Sequence, residues 1–361
     1  MNRFGSFFKP LMWSMALLLA AFVAGCGGDD GTQGAAGAAG APGAPGAPGA
    51  PGTPAPGTNP AAVPLASAPP APAAALATYA LTTSAGLTTT GVANFGGNVA
   101  MDAPASTCTA TPAAPVVSGT DSCGMATTAD ATNPAITATP LGLTITGTTI
   151  RFNPGAVNAA SFNATVRAVK NAVNAAWVDA FNRVGGASVP GALGGLTLAP
   201  GVYKSGGAMI LGAGETLTLD ATGNANPATA VWIFQVGTNL TVTGGTSAPT
   251  RVVLANGALA RNVFWQVGTP RMTGVTPPGA APSGGDVTFS AATGVANQTI
   301  FKGTILAGNT VTFAGGTAVE GRVLAGADLL DGSGTPPNTQ TGGSVTTTAT
   351  AGNAVTVTLP Q

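Results

Sequence analysis

GETLTLDATGNANPATAVWIFQVGTNLTVTGG, residues 214–245, contains two kinds of strand. In TLTLD, Leu217 and Leu219 alternate with Thr216 and Thr218; in NLTVT, Leu240 and Val242 alternate with Thr241 and Thr243. Such period-two alternation predicts a strand with one buried face and one hydroxyl-bearing face. Between them, VWIFQVG is bulkier and more continuously apolar, and it reads as part of a second wall.

Both signals recur downstream. VTFS sets Val287 and Phe289 against Thr288 and Ser290, and TVTF sets Val311 and Phe313 against Thr310 and Thr312. NVFWQVG (262–268) and TIFKGTI (299–305) repeat the bulky type. The Thr runs begin near 216, 240, 287 and 310, so they are 23 or 24 residues apart except for one interval of 47. That interval holds the Pro/Gly-rich segment 271–285, an insertion loop. One coil of a three-sided solenoid needs three short strands and three turns, and repeats in the twenties point to stacked coils. The Thr runs are expected to share one wall and the bulky strands another. A β-sandwich with Thr-rich strands is the alternative.

One long helix breaks the β pattern. Phe162, Val166, Val169, Val173, Trp177, Phe181 and Val184 recur every three or four residues, with Pro154-Gly155 before them and Gly185-Gly186 after. A helix over 157–184 is about 39 Å long, comparable with seven or eight coils at about 4.8 Å each. The predicted fold class is therefore all-β with one long helix: a triangular β-solenoid (β-helix) with an α-helix packed along one side.

The ends of the chain specify its setting. Arg3 and Lys9 precede an apolar run from Leu11 to Val23, too short for an ordinary membrane span, which marks residues 1–25 as an export signal. Val23, Ala24, Gly25 and Cys26 resemble a bacterial lipobox, in which Cys26 accepts the lipid. An ordinary secretory signal with a chance cysteine is the alternative. The expected localisation is the outer membrane or surface of a Gram-negative bacterium, with the chain held through lipid on Cys26. From Gly31 to Pro54 glycine recurs at every third residue, with Pro in the later triplets. Residues 26–76 read as a tether, either a single extended spacer or a collagen-like trimer stalk; the monomer is favoured. Residues 77–361 form the main domain, with 108–133 as a cap segment. Cys108 and Cys123 remain after processing and fit a disulfide in an oxidising compartment.

Composition narrows the function. Only 7% of side chains are charged, and 12 Lys+Arg balance 12 Asp+Glu, so no basic stripe exists to neutralise nucleic acid. The chain has no His and 3 Cys, which implies neither a metal site nor a His-based nucleophile triad. Acids are sparse after the tether, and only Asp328 and Asp331 lie close in sequence. No enzyme, cofactor, metal or catalytic residue is expected.

Three further segments carry a family resemblance. GALGGLTLAPGVYKSGGAMILGAGETLTLD leads into the paired IFQVG and FWQVG strands, and FKGTILAGNTVTFAGGTAVEGRVLAG closes the series over 191–326. More loosely, ALTTSAGLTTTGVANFGGNVAMDAPAS (80–106) is similar to the family's opening strands. The chain resembles the ice-binding-like domain of bacteria and microalgae. The resemblance implies a right-handed solenoid that begins mid-stack, inserts a cap and the helix, then completes its coils. It also implies an ice crystal surface as partner, met by a flat Thr-rich face. Thr offers a methyl and a hydroxyl on a stiff β-branched frame, which loses little rotamer entropy on binding. Candidate outward residues are Thr144, Thr146, Thr216, Thr218, Thr241, Thr243, Thr288, Thr310 and Thr312. A second row follows the Thr-Ala/Gly-x-Thr/Asn pattern of some family members, at Thr146 and at Thr243 to Thr246, with Thr222, Thr293 and Thr317 matching its first half. A non-catalytic adhesin using the same solenoid on a glycan or another cell is the alternative function.

Overall fold

The computed structural model describes residues 58–65, 76–84, 86–101, 107–111, 136–138, 142–151, 159–269, 285–326, 343–349 and 353–361. The export signal, Cys26, the collagen-like repeat, Cys123 and the insertion at 271–284 lie outside these residues. Cys108 falls in the strand Thr107–Thr111, paired in register with Leu87.

From Gly201 onward the chain visits three walls in rotation. Gly201–Ser205 is on the first, Met209–Leu211 on the second and Thr216–Asp220 on the third; Trp232–Val236 then returns to the first. Each wall is a stack of parallel strands, joined coil to coil by backbone hydrogen bonds, except that Ile136–Ala138 joins the third wall antiparallel to Leu143–Ile145. Alternate residues point inward and meet in one core, as period-two strands require.

The order of stacking departs from the order of sequence. After Val311–Ala314 and Ser344–Thr348, the next strand on the second wall is Gly86–Thr90; likewise Val355–Thr358 pairs with Ala93–Gly96, and Thr317–Ala325 with Tyr79–Thr83. The N-terminal coils therefore continue the stack where the C-terminal coil ends.

Two long strands, Thr299–Ala307 and Thr317–Ala325, turn a corner within their length. Gly303 has φ +114, and a Cβ there would lie 2.7 Å from the Val263 carbonyl oxygen; one on Gly321 would lie 1.8 Å from that of Gly303. Only glycine tolerates both that backbone and that approach. TIFKGTI is thus shared between two walls: Thr299–Lys302 lies on the third, and Thr304 onward joins VWIFQV and VFWQV on the first.

Aromatic rings fill the core in a continuous series. Tyr203, Phe234 and Trp265 stack at centroid distances of 5.6 and 3.9 Å, and Phe301, Phe289 and Phe313 extend the series at 4.9, 5.1 and 4.8 Å. Trp232 and Trp265 are buried, and their indole N–H groups donate to the carbonyls of Leu198 and Lys302, both at 3.0 Å.

The helix, Ala159–Phe181, covers the first wall. Val166, Val169, Val173, Ala176 and Trp177 are buried with Val202, Ile233, Phe264, Leu306 and Leu324 from five successive strands. Fully burying a side chain of the size of Val or Leu is worth about 1.5–3 kcal/mol. A helix end leaves carbonyls unpaired, and here Gln235 meets them: its Nε2 lies 2.9, 2.9 and 2.8 Å from the oxygens of Ala180, Phe181 and Arg183. Thr58–Leu65, assigned by sequence to the tether, lies on this same wall. Val63 and Leu65 are buried in the helix cluster, and Asn59 makes two bonds, donating to Thr229 O (3.0 Å) and accepting from Val231 N (2.8 Å).

Candidate functional site

With the first wall covered by the helix, two walls face solvent. The second carries Met209–Leu211, Leu240–Val242, Val287–Phe289, Val311–Ala314, Ser344–Thr348, Gly86–Thr90 and Thr107–Thr111, in that spatial order. Its inward residues belong to the core, from Leu211, Val242, Phe289 and Phe313 to Leu87. Its outward centre is one file in register: Ile210, Thr241, Thr288, Thr312, Thr346 and Thr88, with the backbone of Thr109 next in register. Thr288 and Thr88 are exposed; Thr241, Thr312 and Thr346 are half-exposed.

Flanking files widen this line. On one side Ala314, Thr348 and Thr90 are paired in register, after Thr243 and Ser290 of the preceding coils. On the other, the hydroxyls of Thr310 and Ser344 are 3.3 Å apart. Next along this flank is Asp286, whose Oδ1 accepts from Asn309 Nδ2 at 2.7 Å and from Thr310 N at 3.2 Å. Coils repeat at about 4.8 Å and outward files at about 6.7 Å, so the wall is a two-dimensional lattice of methyl and hydroxyl groups.

The third wall is different in character. Its outward row runs Thr216, Arg251, Ile300, Ala318, Thr356, Asn94, Thr144. Beside it, Lys302 and Glu320 face each other on adjacent coils and form an ion pair. Thr144, Thr216 and Thr218 therefore belong to this charged wall and not to the threonine wall. This corrects the grouping of TLTLD with NLTVT: the two runs alternate alike, but TLTLD pairs with Arg251–Ala255, whereas the strand beside Leu240–Val242 is Met209–Leu211.

The pattern row does not form a file. Thr146 follows a strand of the charged wall, while Thr246 and Thr293 sit at the corner between the threonine and charged walls. There the Thr293 hydroxyl donates to Thr246 O at 2.9 Å, and Asn297 Nδ2 to the same oxygen at 2.8 Å; these groups tie coil to coil. Thr317 is fully buried, its hydroxyl donating to Ala314 O at 3.0 Å, so it is no outward residue.

Thr346, Thr348, Thr88 and Thr90 are functional candidates that the sequence reading passed over. In SVTTT and GLTTT three consecutive threonines hide the alternation, because Thr347 and Thr89 point inward and are buried. Among the described residues no group of three His, Cys, Asp or Glu converges to hold a metal.

Comparison with known proteins fits this geometry. A model of the ice-binding-like family matches residues 81–287, more than half of the chain. An ice-binding protein of Colwellia sp is 34% identical over 135 residues, which are 37% of this chain and 40% of that one. One of Nostoc sp. (strain HG1) is 37% identical over 143 residues, 38% of this chain and 41% of that one. The matched part thus spans about two fifths of either relative. A crystal structure of an ice binding protein from an Antarctic biological consortium aligns over 84% of this chain and 94% of that one, with TM-score 0.53 and 23% identity, a likeness of fold. The extent of the family match, together with three stacked walls and a helix along one of them, places this chain in the ice-binding-like family.

Proposed function

We propose that this protein adsorbs to ice through the threonine wall. The observation that carries this reading is the file Thr241, Thr288, Thr312, Thr346 and Thr88, one threonine per coil over five consecutive coils. Stiff β-branched side chains on a hydrogen-bonded lattice are ordered before binding, so little rotamer entropy is lost when an ice-like water layer forms on them. Methyl groups space that layer, and hydroxyls continue its hydrogen bonds. Adsorbed at many points, such a wall pins the growing crystal. The role is non-catalytic: the file offers neither a titratable group nor a strong nucleophile. Lipid on Cys26 and the collagen-like spacer would hold the domain at the outer surface of the cell, as a monomer.

Thermal hysteresis and crystal shape test this on the chain carrying Cys26→Ala, which takes no lipid. Faceted crystals and a gap between melting and growth are expected. A folded, β-rich protein under which crystals grow as round discs would turn the reading toward a surface adhesin.

A further inference from the structure

The threonine wall is not uniform along its length. At one end, the coils of Met209–Leu211, Leu240–Val242 and Val287–Phe289 carry Ile210, 45% exposed, in the central file, and Asn239 and Asp286 on the flank. Asp286 is held there by two accepted hydrogen bonds, and Asn239 Oδ1 accepts from Asp286 N at 3.2 Å, so neither side chain is free to swing off the wall. At the other end, the coils of Val311–Ala314, Ser344–Thr348 and Gly86–Thr90 present only Thr, Ser, Ala and Gly in all three outward files.

We infer that the contact with ice is confined to this second part, centred on Thr312, Thr346 and Thr88 and flanked by Thr348, Thr90 and Thr310, and that Asp286 sets its boundary. This rests on the reading of the threonine wall as the ice-adsorbing face. A carboxylate keeps its own hydration shell, which an ice lattice cannot accommodate, and burying it without a counter-charge is costly. An exposed branched Ile on the end coil raises the surface where flatness is required. Three coils and three files span roughly 10 Å by 13 Å between outer Cα positions, enough for several repeats of a water lattice. Asp286 is thus a specificity-determining residue: it limits how far along the solenoid the crystal is recognised.

A rung-by-rung series on the full chain with Cys26→Ala tests this by the lowest concentration that blocks ice recrystallisation, with circular dichroism and Tm as folding controls. Thr346→Tyr and Thr88→Tyr are expected to raise that concentration at least tenfold, and Thr241→Tyr less than twofold. Asp286→Asn, which retains an acceptor for Thr310 N, is expected to lower it about twofold. Thr346→Ala and Thr241→Ala should keep the ranking with smaller amplitude, which guards against a Tyr variant that fails to fold. Equal losses at 241, 346 and 88 in an active protein would overturn the confined patch and leave the wall as the ice face. An inactive parent protein would overturn both.

Discussion

The threonine and charged walls are built by the same coils on the same backbone spacing, and both carry outward threonines. What separates them is continuity. The threonine wall has threonine at the same position of five consecutive coils; the charged wall has Thr216 at one end and Thr356 and Thr144 toward the other, with Arg251, Ile300 and the Lys302–Glu320 pair between. A crystal meets many groups at once, so threonine content counts for less than an unbroken row. One solenoid thus presents two solvent-facing walls of equal spacing, only one of which carries an unbroken threonine row.

The largest effect should come from a bulky group on each wall in turn. Thr312→Tyr is expected to abolish most of the hysteresis, a loss of tenfold or more in activity at fixed concentration, whereas Thr218→Tyr on the charged wall leaves it within twofold; measuring both under one cooling protocol decides which wall is used. An intermediate effect should come from making the charged wall resemble the threonine wall. Lys302→Thr with Glu320→Thr, placed on Thr312→Tyr, is expected to restore a detectable fraction of ice shaping, because Lys302, Glu320 and Thr358 are paired in register and the change makes that file three threonines long. If ice stays unshaped, continuity alone does not make a wall adsorb. The same double change should cost little stability, about 0.5 kcal/mol, since a half-exposed ion pair contributes weakly and is screened by salt.

The smallest effect concerns pH. The strands Val311–Ala314, Ser344–Thr348 and Gly86–Thr90 carry no titratable side chain, so ice activity is expected to be flat between about pH 5 and 9. On the charged wall, hydrogen bonds from the Asn256 side chain, then from the Thr222 backbone and hydroxyl, hold the Asp220 carboxyl below the ordinary carboxylate range. A carboxyl whose folded pKa is lowered stabilises the fold above its ordinary pKa, and that contribution is lost as pH falls through the folded value. The protection factor of amides in the Asn256-Gly257 turn, corrected for intrinsic exchange at each pH, should therefore fall in acid, while that around Thr346 is kept. An equal fall at both places would mean global loosening.

The sequence made the solenoid legible because alternation is a local property and each Thr run announces a strand. The helix was legible for the same reason, its apolar stripe matching Val166, Val169, Val173 and Trp177 in the buried cluster. The spacing near 24 did not measure a coil: the runs at 216 and 240 lie on different walls, and Trp232 and Val263, paired across one coil, are 31 residues apart (263 − 232). The wall to which each run belongs was not legible. TLTLD and NLTVT look alike, and only the lengths of the turns between them and the pairing of neighbouring coils send one to the charged wall. Nor could pattern show that Thr317, after a glycine corner, turns inward, or that Asn59 and Val63 dock on a wall more than a hundred residues away in sequence.

The stacking order also constrains how the protein is made. Thr346 and Thr88 are adjacent on the threonine wall, yet they lie more than two hundred residues apart in sequence, brought together by pairing of Ser344–Thr348 with Gly86–Thr90. A ribosome delivers the second strand long before the first, and contacts so distant in sequence close slowly. The early coils must wait, unfilled on one edge, until the last coil arrives to fit between them and the middle ones. A chain cut short during synthesis would therefore lack the centre of its threonine wall and not merely an end.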